Sequence, residues 1–210
     1  SMATPTAYFL GIDVARTGLG LVVLAGTGEQ VASLHRAYGG GNDQLYDPQD
    51  WWRAARTGIK EILRRAKLRP DQIRCIGVTG DGDSLVALDK DGKVLCPSTL
   101  GPDPRVAAHI ESLNNMVGVR TLLNLACGSA TTGSMAVKLL WLRENEKRVW
   151  HDLSVALTAK DFLRFRLCET LVTDASDASM TLLFNPKTRA WSKQLLSALD
   201  INPDWLPSIS

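Results

Sequence analysis

Three apolar segments follow one another within the first 37 residues, and this arrangement constrains the fold more than any other feature of the sequence. Each is rich in Val, Leu and Ile, and short glycine-containing turns separate them, which predicts three consecutive strands. The segments are residues 7–14, 19–25 and 30–37. An amphipathic helix is predicted next, over 48–67, because apolar residues recur at helical spacing after the helix start Asp47-Pro48. The apolar run 73–80 then predicts a buried strand, and this order of elements indicates an α/β domain with a mixed sheet.

The rest of the chain continues the alternation of helices and strands. The pattern predicts a hairpin over 84–95, helices over 104–117, 133–149, 159–167 and about 192–199, a strand over 153–158, and a hairpin-like segment over 180–191. The glycine-rich segment 39–47 is predicted as a loop. Several tryptophans are expected in the core, namely Trp51, Trp52, Trp141, Trp150 and Trp191. Because no repeat or linker interrupts the 210 residues, we expect one large domain.

The composition argues against several classes of function. The net charge is +2, from 24 Lys and Arg and 22 Asp and Glu spread along the chain, so no basic nucleic-acid surface is indicated. No apolar run approaches the roughly 20 residues of a membrane span, and the first six residues lack the regions of a signal peptide. Widely separated cysteines without metal-ligand spacing favour buried free thiols in a reducing cytoplasm over a zinc site. They are Cys75, Cys96, Cys127 and Cys168.

A single acid, Asp13, stands at the end of the first predicted strand, where we expect burial. Burying an unpaired charge is costly, so such an acid normally has a partner, a metal ion or a catalytic role. The residues that follow, Arg16, Thr17 and Gly18, form a polar turn before the next strand. Asp13 is therefore a candidate functional residue, and the alternative is an acid that accepts hydrogen bonds from nearby N–H groups of the turn.

Four motifs occur in order along the chain, namely GIDVART (11–17), GVTGDGDSLVALDKDGKVL (77–95), GPDPR (101–105) and GSMAVKLLWLREN (133–145). Together they resemble the N-terminal domain of the FGGY carbohydrate kinases. The later segment TDASDAS (173–179) is also similar to a family segment. The resemblance extends from about Tyr8 to Pro207. It implies an actin-like (ribonuclease H-like) ATPase fold, with a domain over 7–207 and a C-terminal nucleotide-binding domain absent from this chain.

The resemblance implies an ATP-dependent kinase that transfers the γ-phosphoryl group of ATP to a hydroxyl of a sugar or polyol. Asp13 matches the family acid that works with Mg²⁺, with the contact expected through water. Arg16, Thr17 and Gly18 lie in the loop that the resemblance assigns to the nucleotide phosphates, where Thr17 matches the family hydroxyl residue and Ala15 and Arg16 replace the usual Gly-Thr. A tight turn of N–H groups and hydroxyls is physically suited to that task. The catalytic base is expected outside this chain, so the chain alone is expected to be inactive. The implied cofactors are ATP and Mg²⁺.

The implied sugar pocket includes the turn Asp81, Gly82 and Asp83, where Asp83 would accept a hydrogen bond from a sugar hydroxyl. A glycine-centred turn with solvated acids is the equal alternative. Asp103 matches a position at the pocket rim, and a salt bridge to Arg105 is its alternative.

Glycines replace bulkier family residues at three positions that the resemblance places near this pocket. They are Gly82, Gly101 and Gly133. Their loss of side chains would widen the pocket or leave space for another segment to fill. Asp174 and Asp177 are also acids in a family segment, but we expect them to form turns and cap a helix rather than act as the base.

Two further functions and three partners follow from the same reasoning. A sugar-binding pseudokinase or sensor would keep the pocket without phosphoryl transfer, and an actin-like assembly protein is a third interpretation. The expected partners are the sugar or polyol, the C-terminal domain of the same protein, and a second copy of the chain across the exposed cleft wall. No nucleic acid or membrane is expected among them.

Overall fold

The computed structural model describes residues 7–39 and 45–210. The expectations for the first six residues, and for residues 40–44 of the predicted loop, lie outside this part of the chain. The strands are β1 (Tyr8–Ala15), β2 (Gly18–Ala25), β3 (Gln30–Arg36), β4 (Leu45–Tyr46), β5 (Ile73–Gly80), β6 (Val86–Leu88), β7 (Ser98–Thr99), β8 (Val155–Leu157), β9 (Val172–Thr173), β10 (Phe184–Asn185), β11 (Ala190–Trp191) and β12 (Ser208–Ile209). The helices are α1 (Pro48–Ala66), α2 (Ala108–Val117), α3 (Val119–Ala126), α4 (Met135–Asn145), α5 (Lys147–Asp152), α6 (Ala159–Cys168), α7 (Ala175–Met180) and α8 (Lys193–Leu199).

A four-stranded mixed sheet in the order β3-β2-β1-β5 forms the centre of the fold. β1 is antiparallel to β2 and parallel to β5. The alternation of residues along β1 and β2 places one apolar set against α1 and α6, where Trp51 and Phe162 complete a core. The opposite face of β1 carries Phe9, Gly11 and Asp13, of which Phe9 and Asp13 are exposed. The three consecutive strands and the mixed sheet are therefore confirmed.

A second core forms where α2, α4 and α8 pack together, with Leu113, Leu139 and Leu195 among its buried side chains. The predicted helix over 133–149 is wrong at one point, because the backbone departs from helical geometry at Glu146 and separates α4 from α5. α3 was not predicted from the sequence. Of the predicted hairpin over 84–95, the turn forms, with a bridge between Leu88 and Val94, but β6 pairs mainly with β8.

Local capping explains where several helices begin. Asp47 accepts a hydrogen bond from Gln49 N at 2.9 Å at the start of α1, as the sequence predicts. Thr158 caps α6 through Asp161 N, and Ser192 caps α8 through Leu195 N. Short polar side chains at these positions satisfy N–H groups that have no partner within the helix.

The environment of three sequence features differs from expectation. β5 lies at an edge of the sheet and is exposed at four successive residues, so it is not a buried strand within the described part of the chain. Asp13 is exposed because its side chain points to the uncovered face of β1. The cysteines are free thiols, but only Cys96 is partly buried and the other three are exposed. Within residues 7–39 and 45–210, no helix has the length and apolar character that crossing a membrane requires.

The tryptophans show different degrees of burial. Trp51 is fully buried, as expected for a core residue. The others are partly buried and pack against one of the two cores, and they are Trp52, Trp141, Trp150 and Trp191.

Candidate active site

The turn between β1 and β2 lies at the edge of a shallow groove over the exposed face of the sheet. Asp13 stands opposite Gly20 on β2 and beside Thr79 on β5, and with Gly11 and Gly77 these residues line a groove of about 510 Å³. Glycines leave the backbone open, so a ligand can approach the Asp13 carboxylate closely. No described residue forms a hydrogen bond or ion pair with that carboxylate, which leaves its oxygens free for a cation or water.

Gly18 ends the turn in a conformation that only glycine adopts easily. Its φ is +144°, and a Cβ at this position would lie 2.5 Å from the carbonyl oxygen of Arg36. Glycine here allows β3 to approach the turn. Thr17 is exposed, and its hydroxyl forms no hydrogen bond with the described residues. This hydroxyl and the backbone of the turn therefore remain accessible to a ligand.

The turn that follows β5 is held by its own side chains and by α6. Asp81 Oδ1 accepts a hydrogen bond from Asp83 N at 3.0 Å, and Ser84 Oγ donates to the carbonyl of Asp81 at 2.9 Å. Ser84 Oγ also accepts from Ala159 N at 2.8 Å, at the beginning of α6. The segment from Asp81 to Ser84, which we call the acidic turn, is therefore fixed against the helix by buried polar contacts.

Lys138 joins the acidic turn to the segment 99–101. Its ammonium group donates to the carbonyl of Asp83 at 2.5 Å, the hydroxyl of Thr99 at 3.0 Å and the carbonyl of Gly101 at 2.8 Å. The side chain is 5% exposed, and burial lowers its pKa to about 8. Three donors meeting three acceptors satisfy the buried amine, so Lys138 holds the acidic turn against the segment 99–101.

Asp83 carries a half-buried carboxylate that no described residue contacts by a hydrogen bond. The carboxylate packs over Gly133, where a Cβ would lie 2.4 Å from it. Burial, with the nearby charge of Asp81, raises the pKa of Asp83 against the opposing effect of Lys138 and Arg16. The free carboxylate is an acceptor available to a ligand hydroxyl.

Asp103 forms a salt bridge with Arg105 and lines a cavity beside Lys138. Its carboxylate receives hydrogen bonds from Arg105 Nη2 at 2.7 Å and Nε at 3.0 Å, and it caps the following turn through Arg105 N. Burial raises the pKa of Asp103, but the hydrogen bonds from Arg105 outweigh this and hold it below its usual value. The guanidinium also stacks over Trp141, 4.6 Å from the ring centroid. The salt-bridge alternative therefore describes Asp103 in this structure.

The space left by the three glycines of the pocket is filled. Met180 lies 3.0 Å from the position of a Cβ at Gly82, and the Asp83 carboxylate covers Gly133. At Gly101, the guanidinium of Arg16 occupies the equivalent space. Filling by other segments, the alternative to a wider pocket, is what the structure shows at these three positions, and the width of the pocket relative to those of its relatives stays a prediction.

An ion cluster centred on Lys160 lies beside the acidic turn, between α6 and α7. Lys160 Nζ lies 2.7 Å from Asp161, 2.6 Å from Asp174 and 3.4 Å from Asp177. Asp174 caps α7 through Asp177 N, and Asp177 accepts a hydrogen bond from the Thr158 hydroxyl at 2.6 Å. Burial raises the pKa of Asp177. These contacts confirm the capping role expected for Asp174 and place Asp177 in the support of α6 and α7.

The predicted site residues fall into two groups. Arg16, Asp81 and Asp83 lie together, whereas Asp13 faces the groove and forms no contact with them among the described hydrogen bonds. Lys138, in the motif GSMAVKLLWLREN, has the structural role that its sequence context favours, because it joins the acidic turn to the segment 99–101. A lysine flanked by apolar residues in AVKLLWL was the available signal, because such a lysine must be buried with acceptors.

Comparison with known proteins identifies the family that shares this arrangement. The model of the "FGGY family of carbohydrate kinases, N-terminal domain" matches residues 8–210. The chain belongs to this family. Among FGGY relatives, the xylulose kinase of Klebsiella pneumoniae is 30% identical over 207 residues, which cover 96% of the chain. The glycerol kinase of Thermococcus kodakarensis is 33% identical over 170 residues, or 78% of the chain.

Solved structures of FGGY kinases share the fold. The gluconate kinase of Lactobacillus acidophilus superposes with a TM-score of 0.88 at 25% identity, over 98% of the chain. The fold is therefore the actin-like α/β ATPase fold with a mixed sheet flanked by helices. The chain spans 42% of the length of the Klebsiella xylulose kinase and 42% of the gluconate kinase chain.

Proposed function

We propose that this chain is the sugar-binding half of an ATP-dependent carbohydrate kinase, which transfers the γ-phosphoryl group of ATP to a hydroxyl of a sugar or polyol. The observation that carries the proposal is the position of two turns. The β1–β2 turn and the acidic turn follow the carboxyl ends of β1 and β5, which are adjacent parallel strands. Ligands bind at this edge of an α/β sheet, so a phosphate site and a sugar site would meet there.

Asp13 suits a role toward a magnesium–nucleotide complex. Its carboxylate is exposed and has no partner among the described residues, and the groove around it is floored by glycine. Mg²⁺ bound to a nucleotide keeps several waters and needs only one or two protein carboxylates, so this single acid fits. Thr17 and Gly18 would contribute a hydroxyl and N–H groups to the phosphates, as would the backbone of Arg16.

The acidic turn is the proposed sugar-binding segment. Asp81 and Asp83 present carboxylates, and the absence of a side chain at Gly82 keeps the turn tight. Asp103 would act on the pocket at a distance, through the Lys138 network that it faces. The names of the relatives, which include xylulose, glycerol and gluconate kinases, are consistent with a polyhydroxylated substrate.

The remaining catalytic parts are proposed to lie in the rest of the protein. Residues 7–207 form the first domain, and a C-terminal domain would supply the adenine contacts and the catalytic base. On this proposal the isolated chain is inactive, because half a cleft neither clamps the nucleotide nor excludes water. The kinase would act in the cytoplasm, where ATP is available. In the isolated chain, a second copy would cover the exposed cleft wall.

The first test is Asp13→Asn in the full-length protein. After a sugar panel has identified a substrate, we expect this variant to lower kcat by about a hundredfold or more, because it removes the charge directed at the metal–phosphate complex. Circular dichroism should stay unchanged. Near-normal turnover with the same Mg²⁺ dependence would contradict the assignment.

Asp83→Ala is the matched variant on the sugar side. We expect its sugar KM to rise by about tenfold or more with little change in the ATP KM, since a charge-assisted hydrogen bond contributes about 1.5–3 kcal/mol. An unchanged sugar KM would leave Asp83 as a residue of the turn alone. Sugar binding by the full-length protein without any ADP release would instead indicate the pseudokinase.

A further inference from the structure

The side chain of Arg16 leaves the β1–β2 turn and enters the wall of the sugar pocket. The backbone of Arg16 stays in the turn, where its carbonyl accepts a hydrogen bond from the Tyr46 hydroxyl at 3.0 Å. The guanidinium lies against Gly101, where a Cβ would be 2.2 Å from Nη2 and 2.6 Å from Cζ. Gly101 has a φ of +93°, a conformation that side chains rarely adopt. Arg16 therefore occupies the side-chain space of position 101.

The guanidinium of Arg16 has N–H donors that no described residue uses. Among the described residues its one ion-pair partner is Asp81, with Nη2 3.5 Å from Oδ2, which is long for a charge-assisted hydrogen bond. Asp81 already accepts from Asp83 N through its other oxygen. The Arg16 side chain is 50% exposed. Since a guanidinium carries five N–H donors, most of them remain available to a ligand in the pocket.

The charges that act on Asp83 balance, and Asp177 adds a further carboxylate beside the acidic turn, with its Oδ1 3.5 Å from the Cβ position at Gly82. Arg16 and Lys138 are the cations that act on Asp83, and Asp81 is the acid beside it. Two cations thus face two carboxylates, while Asp103 is neutralised by Arg105. A hydroxyl both donates and accepts, so a polyhydroxylated ligand can use Arg16 as a donor and Asp83 as an acceptor at once. A carboxylate ligand would leave this half-buried wall with excess negative charge.

We propose that Arg16 is a specificity-determining residue of the sugar pocket, that its guanidinium donates hydrogen bonds to substrate hydroxyls, and that the substrate is a neutral sugar or polyol rather than a sugar acid. This inference rests on the proposed kinase function. It differs from the sequence-based assignment of Arg16 to the nucleotide phosphates, because the described side-chain contacts of Arg16 are with the pocket wall. One residue thereby links the phosphate loop, through its backbone, to the sugar, through its side chain.

The kinetic test uses Arg16→Met in the full-length protein, which keeps much of the stem and removes the charge and donors. We expect the sugar KM to rise by about tenfold or more and the ATP KM to change by less than about threefold. Thr17→Ala, one residue along the same turn, is the matched control and should raise the ATP KM while leaving the sugar KM unchanged. A raised ATP KM with an unchanged sugar KM in Arg16→Met would overturn the inference.

A binding test separates this inference from the proposed function. Calorimetry without ATP would measure the binding of three compounds to the wild type and to Arg16→Met. Sorbitol and gluconate are a polyol and an acid of the same chain length, and xylulose is the third compound. We expect sorbitol or xylulose to bind the wild-type protein at least tenfold more tightly than gluconate does. The Arg16→Met variant should lose its affinity for that neutral compound. The inference is refuted if gluconate binds the wild type more tightly than the neutral compounds do, or if Arg16→Met binds the neutral compounds as tightly as the wild type does. The absence of any sugar binding also refutes it. If the wild type binds a neutral sugar through Arg16 but phosphorylates none, only the kinase proposal fails.

Discussion

Lys138 is a buried side chain that joins two distant segments of the chain. Its three acceptors come from the acidic turn and from the segment 99–101, which are far apart in sequence. Removing the amine would leave the carbonyl of Asp83 without a described donor and the carbonyl of Gly101 with only the Thr99 hydroxyl at 3.3 Å. The three contacts of the amine offset only part of the cost of burying its charge, as the lowered pKa shows.

This burial makes stability depend on pH in a defined direction. The pKa of Lys138 is lowered from 10.5 to about 8, so below pH 8 both the folded and unfolded chains bind the proton and the cost of burying the charge is fully present. Between pH 8 and 10.5 only the unfolded chain binds it, and stability therefore rises with pH. We expect the unfolding free energy of the wild-type chain to rise by about 2–3 kcal/mol relative to Lys138→Met from pH 7 to pH 10. Urea titrations at both pH values measure this, and parallel pH profiles would contradict it.

At the scale of elements, the ion cluster of Lys160 holds α6 and α7 together under the acidic turn. Replacing Lys160 by Met leaves Asp161, whose side chain is 1% exposed, without its closest cation. We expect a loss of up to about 3–5 kcal/mol in the unfolding free energy, because the buried Asp161 carboxylate keeps only the more distant Arg164, at 3.7 Å, as a cation. The control is Lys90→Met, whose exposed pair with Asp91 should contribute less than about 1 kcal/mol. Equal losses in the two variants would refute a special role for the cluster.

The β1–β2 turn offers a second test of element geometry. Gly18→Ala combines an unfavourable φ of +144° with a Cβ 2.5 Å from a carbonyl oxygen. Gly28→Ala is the matched control, because its φ is +90° and nothing lies within 4 Å of its Cβ position. We expect Gly28→Ala to cost about 1 kcal/mol from strain alone and Gly18→Ala to cost at least twice as much. Thermal unfolding of both variants measures the difference, which vanishes if the clash is relieved by a small backbone shift.

At the scale of the whole molecule, the chain has two cores but leaves one sheet face and the edge of β5 exposed. It spans less than half the length of the relatives reported above. We expect the isolated chain to fold, because its cores are extensive, and to show no sugar-dependent ADP release. Full-length protein in the same coupled assay is the control. Turnover within about tenfold of it would place the base inside this chain, with Asp174 and Asp177 as the residues to examine.

The exposed surface also leads to an expectation about assembly. Phe9 and Val31 are exposed on the sheet, at 40% and 39%. An apolar surface of this kind favours association, so the isolated chain should form a concentration-dependent dimer in sedimentation experiments, whereas the proposed C-terminal domain would cover this surface in the full-length protein. A chain that stays monomeric at high concentration would show that the surface is tolerated without a partner.

The elements that could be predicted from sequence are those that local interactions determine. The apolar spacing of α1 and the alternation in β1 and β2 fix which side of each element is buried, and Asp47 and Thr158 cap helices through contacts within three residues. The order of these elements and the motifs between them also indicated the family. The apolar periodicity did not predict the break between α4 and α5, because it continues through Glu146, where the helix ends.

The tertiary structure alone decided where the site side chains point and what they meet. The space at Gly101 is filled by Arg16, which is 85 residues earlier in the chain (101 minus 16). Lys138 finds acceptors 37, 39 and 55 residues away, and Asp13 is exposed because the sheet face it occupies is uncovered. Sequence spacing specifies local geometry, whereas the pairing of distant side chains depends on packing that brings elements together, and only the folded chain contains that information.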